Sequence, residues 1–292
     1  MQMVAWRTRL GRLRRRISIH SELLRLTLHP QAKRQYPDFL GIGAPRAGTT
    51  WLYSRLSRHP DIFLSRIKEL HFFDEHRETD YADGSGANWY RDFCFDMSSE
   101  LHWRWYGRQF AGAAGKLCGE ITPVYSTLTA DRVGIIKRRL PAAKIIMIFR
   151  NPIERAWSGV RRTLWKDVGI QPAQLSGEAA LMRVVLHPEI LIRGNYEATI
   201  KAWEQHYPSG QILYLFHDDI EVNQREQLQG VCRFLGVDAG KLPPASQDGQ
   251  RVNVAPEQDM PQFVRDALLQ HYRSDIAFLE KKFDRDLSQW VD

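Results

Sequence analysis

From Asp38 onward, short apolar runs alternate with stretches whose apolar positions recur at helical spacing, the pattern of a parallel sheet covered by helices. Strands are predicted at Asp38–Ile42, Ile62–Leu64, Lys116–Ile121, Lys144–Phe149 and Ile212–Phe216. The fourth holds Ile145, Ile146, Met147, Ile148 and Phe149 in succession and reads as a strand buried on both faces. A helix after the first strand sets Leu52 and Leu56 four apart on one face and stops before Pro60. Another carries Leu228, Val231, Cys232 and Leu235 at i, i+3, i+4 and i+7, with Gly236 to end it. A last helix is predicted over Met260–Phe283. Residues 75–115 are polar, aromatic and irregular, with helices expected to pack over the sheet; 237–260, rich in Pro, Gly, Gln and Asp, read as a loop. With no internal repeat and no low-complexity linker, the pattern predicts an α/β fold: one P-loop-type parallel sheet flanked by helices, in a single domain.

The 292 residues, 43% hydrophobic and 26% charged, are enough for one large core of this kind. No run approaches the roughly 18 apolar residues of a membrane span, and no apolar segment follows the first basic residues as in a secretory signal. Cys94, Cys118 and Cys232 are far apart and lack metal-ligand spacing, which reads as reduced thiols in a cytoplasmic protein. The net charge of +7 is unevenly placed. Residues 1–34 hold nine Lys and Arg against the single acid Glu22, and the remainder is nearly neutral, with 32 basic and 33 acidic residues. The excess therefore belongs to an arm, drawn as 1–36 before a domain over 37–292. A body without a basic field argues against nucleic acid as partner. The arm interleaves Arg12, Arg14, Arg15 and Arg16 with Leu10, Leu13, Ile17 and Leu23. It reads as a solvated extension or as a basic amphipathic helix in peripheral contact with an anionic membrane.

Candidate chemistry begins where the first strand turns into its helix. Gly43–Leu52 reads GAPRAGTTWL, with Gly43 and Gly48 at P-loop spacing. Such a turn aims backbone N–H groups at an anion and adds the positive end of a helix. An NTPase needs lysine at position 49, yet Thr49 stands there, followed by Thr50, and the cation has moved back to Arg46. An NTPase also needs an acid at a later strand end to help hold Mg²⁺. Here the fourth strand runs into Arg150-Asn151-Pro152, a guanidinium suited to a second phosphate. Asn151 can cap the next helix, Pro152 fits its first turn, and Ser158, two turns on, can face back toward Arg150. Two separate anion sites at two strand ends suit a nucleotide phosphorylated at both its 5′ and 3′ positions better than a triphosphate.

Besides GAPRAGTTWL and FRNPIERAWSGV (Phe149–Val160), the chain carries KELHFFD (Lys68–Asp74), then NWY (Asn88–Tyr90) and GEITPVYS (Gly119–Ser126), and near its end RDLSQW (Arg285–Trp290). With these motifs the chain resembles the sulfotransferases that use 3′-phosphoadenosine 5′-phosphosulfate (PAPS), in particular the heparan sulfate glucosaminyl branch and its bacterial relatives. The resemblance runs from about Asp38 to the C-terminus. It implies that Arg46, Ala47, Gly48, Thr49, Thr50 and Trp51 line the 5′-phosphosulfate site and that Arg150 and Ser158 hold the 3′-phosphate. It implies Glu69 as general base. The heparan-type enzymes have Glu-Lys-Thr-Pro where this chain has Glu120-Ile121-Thr122-Pro123; that lysine is missing, and Lys68 is a candidate to replace it.

The expected reaction is in-line sulfuryl transfer to an acceptor hydroxyl, on a carbohydrate or a small alcohol, with no metal. Glu69 takes the proton, best if partial burial raises its pKa toward neutrality, with His71 as rival base. Arg46 and the loop amides meet the charge on the leaving oxygen. A further donor contact is expected from Arg251, and Trp89, Tyr90, Tyr125 and the 161–195 stretch are expected to shape the acceptor pocket. The alternatives are a P-loop nucleotide kinase and a non-catalytic nucleotide- or polyanion-binding module.

Overall fold

The computed structural model describes residues 19, 21–28, 35–65, 67–74, 95–165, 169, 175, 177–244 and 258–291. Five strands form one sheet in the order β2-β3-β1-β4-β5, every neighbouring pair parallel. They are β1 (Phe39–Gly43), β2 (Ile62–Leu64), β3 (Leu117–Ile121), β4 (Lys144–Phe149) and β5 (Ile212–Phe216). The helices are α1 (Thr49–Leu56), α2 (Glu100–Arg108), α3 (Ala130–Arg139), α4 (Pro152–Thr163), α5 (Glu178–Val185), α6 (Pro188–Leu191), α7 (Tyr196–Glu204), α8 (His217–Val222), α9 (Gln224–Leu235) and α10 (Gln262–Phe283). Three strands have the predicted bounds; β1 is shifted by one residue at both ends and β3 starts one residue later than predicted. The α9 helix ends as predicted at Gly236, in the left-handed conformation that glycine adopts without strain.

The apolar runs of β1 and β4 are buried throughout apart from the half-buried Lys144, as expected of central parallel strands. The chain builds β2 and β3 on one side of β1, then crosses to β4 and β5 on the other. That reversal opens a crevice at the carboxyl ends of β1 and β4. The α2 helix buries Trp103, Trp105 and Tyr106, with Phe72 stacked on Tyr106 at 4.5 Å between centroids. The α10 helix packs against α4 and α7.

Of the arm, residues 21–28 are helical. Leu26 is buried, and the Trp105 indole donates to Glu22 at 2.7 Å, while Leu24 and Leu28 are 63% and 67% exposed. Cys118 and Cys232 are free and buried; Cys94 lies outside the described residues. No helix among the described residues is long and apolar enough to cross a membrane.

Candidate active site

Gly43 ends β1 with φ 152°, and a Cβ there would stand 2.7 Å from the Pro123 carbonyl oxygen and from Ser126 Cβ. The turn after β3 therefore packs directly on the loop, which glycine alone allows. Arg46 and Gly48 take φ of 69° and 100°, the left-handed positions that curl a loop into an anion-receiving concavity. No side chain caps α1 and no acid occupies its first turn, which leaves the positive helix end to an incoming anion. Ala47 is buried and its N–H donates to Ala44 within the loop at 3.2 Å. The Trp51 indole is tied to Gln224 on α9 at 3.0 Å.

At the end of β4, Asn151 caps α4 by accepting from the Ile153 N–H at 3.0 Å, and Pro152 occupies the first turn. Arg150 Nη1 donates to the Arg46 carbonyl at 3.0 Å, and Tyr196 donates to the Arg150 carbonyl at 2.7 Å. Ser158 on α4 meets the glycine loop. Its hydroxyl accepts from Arg46 Nε at 3.0 Å, while the Arg150 guanidinium is committed to the backbone of the loop. These two contacts tie the two strand ends together through Arg46. Burial, then the neighbouring charges of Arg162, Arg150 and Arg161, press the Arg46 pKa down to about 10. Sequence reasoning overlooked Arg161 and Arg162, although they follow Ser158 by three and four residues and so share its face of α4.

The chain after β2 carries the proton chemistry. Lys68 Nζ bridges the two halves of the site, donating to Thr50 Oγ1 and to Glu69 Oε1 at 3.0 Å each. A cation therefore stands between the loop and Glu69. Glu69 Oε2 lies 3.6 Å from His71 Nε2, and His71 Nδ1 lies 2.8 Å from Asp74 Oδ2. The condition that burial lift the Glu69 pKa toward neutrality is not met. Burial does oppose its ionisation, but His71 and Lys68 outweigh that and hold the carboxyl at about 2. Burial likewise opposes charge on His71, yet Asp74 and Glu69 raise its pKa. An imidazole between two carboxylates is favoured as imidazolium, so the carboxylate is the member of the pair in proton-accepting form.

Tyr125 does not line an open pocket: it is wholly buried, its hydroxyl beside the Glu120 carboxyl at 3.3 Å. Of the stretch 161–195, Ile192 and Asn195 line a cavity of about 370 Å³ with Ser126 and Thr199. Arg251, Trp89 and Tyr90 lie outside the described residues. His217, at the end of β5, was not singled out from sequence, yet a Cβ on Gly48 would lie 3.3 Å from its ring. Its only signal was a place just after a strand. His217, Asp218 and Glu221 bring ligand atoms within 4.8 Å of one another, but Asp218 is engaged by the Trp290 indole at 2.7 Å.

A strand-end glycine loop, a second strand-end arginine and a carboxylate bridged to the loop define a site for group transfer from a phosphorylated donor. The model of the sulfotransferase family matches residues 37–240, and the chain belongs to that family. It is 29% identical over 213 residues to mouse bifunctional heparan sulfate N-deacetylase/N-sulfotransferase 2, covering 69% of this chain and 22% of that protein. It is 27% identical over 210 residues to mouse heparan sulfate glucosamine 3-O-sulfotransferase 3A1, covering 71% of this chain and 47% of that one. The chain thus spans about a fifth and about half of the length of these two relatives. A sulfotransferase structure from Alicyclobacillus acidocaldarius superposes with a TM-score of 0.69 at 27% identity, covering 88% of this chain and 99% of that one.

Proposed function

We propose that this sulfotransferase moves a sulfuryl group from PAPS to an acceptor hydroxyl, on a carbohydrate or a small alcohol, without a metal. The observation that carries this reading is the hydrogen-bonded run Thr50–Lys68–Glu69, which couples an anion-receiving helix end to a carboxylate across two 3.0 Å contacts. The uncapped α1 terminus, Thr49 and Thr50 would receive the 5′-phosphosulfate, and Arg150 with Ser158 the 3′-phosphate. The acceptor oxygen attacks sulfur, the bond from sulfur to the bridging oxygen breaks, and 3′,5′-ADP leaves. Arg46 and Lys68 would offset the charge growing on the leaving oxygen. Glu69 would take the hydroxyl proton. Its preference over His71 is supported by the flanking carboxylates, which raise the pKa of that imidazole and so favour its charged form. A carbohydrate acceptor is supported by the heparan sulfate relatives.

Calorimetric titration with 3′,5′-ADP, 5′-AMP and ATP, with and without Mg²⁺, tests the donor. Metal-independent binding confined to 3′,5′-ADP, and lost in Arg150→Ala, is expected. A preference for ATP with Mg²⁺ would return the chain to a kinase reading.

A further inference from the structure

Glu120 on β3 is completely buried. Among the described residues its two oxygens accept only from hydroxyls: Tyr106 at 2.6 Å, Thr122 at 2.8 Å and Tyr125 at 3.3 Å. The Tyr125 oxygen in turn accepts the backbone N–H of Phe72 at 2.9 Å. Phe72 sits in the segment that presents Glu69, His71 and Asp74. Glu69 and His71 there hold left-handed backbone, with φ of 61° and 52°. Non-glycine residues stay in that region only where their surroundings over-determine them. The Phe72 amide is one point at which this segment is pinned, and the pin is seated on a central strand through Tyr125 and Glu120.

We propose that Glu120, acting through the Tyr125 hydroxyl, is a positioning residue that fixes the Glu69–His71–Asp74 segment against the sheet. This rests on the reading of Glu69 as proton acceptor. A carboxylate suits the task for a geometric reason. By accepting the phenol proton, it turns a lone pair of the Tyr125 oxygen toward Phe72. A protonated Glu120 would instead donate to a phenol oxygen and compete with the Phe72 amide. Burial pushes the Glu120 pKa up to about 7, against the pull of the three hydroxyls. The titratable groups facing this cluster are His71 and Asp74 on the segment itself, Tyr106 on α2, Tyr125 after β3, and Cys118 on β3. The pin is therefore firmest above neutral pH.

The test compares wild type, Glu120→Gln, Tyr125→Phe and Glu69→Gln. Three readouts are taken: release of 3′,5′-ADP from PAPS with water as acceptor across pH 5–9, NMR titration of the His71 ring, and 3′,5′-ADP affinity by calorimetry. Tyr125→Phe is expected to slow release about tenfold, within the loss a displaced catalytic group produces, and to move the His71 midpoint toward that of an ordinary histidine. Its nucleotide affinity should stay within about twofold of wild type, since no donor contact is touched. Glu120→Gln should flatten the pH dependence of release near 7. Wild-type release and His71 midpoint in both variants, alongside an impaired Glu69→Gln, would overturn the positioning role alone. Wild-type release in Glu69→Gln would instead overturn the reading of the base. Hydrogen exchange at the Phe72 amide in the wild type needs no variant: slow exchange is expected, and exchange at the rate of an exposed amide would overturn the pin.

Discussion

The site has two halves built by opposite means. The loop at Gly43–Gly48 is made mainly of backbone: its ligand-facing groups are amides and a helix end, and its chemistry lies within ten consecutive residues. The segment 67–74 is made of side chains, and its shape depends on Glu120, Tyr125 and Tyr106 from three other elements. A backbone device can be moved between sequences as a motif. A side-chain device is specified only by the fold around it. On the proposed reading the first half binds the donor and the second half takes the proton, so variants should separate affinity from turnover according to which half they touch.

The sharpest division comes from Glu69→Gln, expected to lower turnover by about 10²-fold or more, the lower range for a lost general base, with 3′,5′-ADP affinity retained. A matching loss of affinity would erase the distinction. Arg150→Ala should do the converse and weaken 3′,5′-ADP by about 100-fold, the equivalent of roughly 3 kcal/mol for a charge-assisted contact; calorimetry reads it directly. Ser158→Ala removes a neutral hydroxyl that accepts from Arg46, and should weaken 3′,5′-ADP by less than about tenfold, in keeping with the roughly 1 kcal/mol of such a bond.

The smallest effect is on stability. Glu120 has its folded pKa raised from 4.5 to about 7, so between those values the folded state holds a proton that the unfolded state has released. Its contribution is full below pH 4.5 and is lost as pH rises through 7. His71, also raised, contributes in the same sense from 6.5 upward. Urea midpoints should fall with pH across this span in the wild type. In Glu120→Gln the fall below pH 6.5 should shrink to the part left by Asp275, whose pKa burial also raises; an unchanged slope would assign it to other groups.

The sheet was legible because its strands are buried on both faces and so are written as unbroken apolar runs, as in Ile145–Phe149. The loop was legible because glycine spacing and a helix start leave a local signature. The bond between Ser158 and Arg46 was not, since it joins residues 112 positions apart that only the fold brings together. Nor was the charge state of Glu69: burial could be guessed from sequence, but the flanking Lys68 and His71 contacts that outweigh it could not. Tyr125 was read as a pocket residue because an aromatic next to a motif looks the same whether it faces a ligand or the core. His217 carried no motif, and only the path of β5 brings it over Gly48.

The cap of α4 has a consequence for the order in which the protein becomes functional. The Asn151 side chain accepts from the first turn of α4 with its oxygen and donates with its amide to the Trp290 carbonyl at 3.1 Å, a partner 139 residues further along. Trp290 also reaches Asp218 on α8. During synthesis, a ribosome can expose the glycine loop, Arg150 and the whole sheet while this fastening is still untranslated. The fastening of Asn151 is thus completed only after residue 290 has emerged, and a nascent chain halted before Trp290 would display the glycine loop and Arg150 without the contact that secures the turn between them and α4.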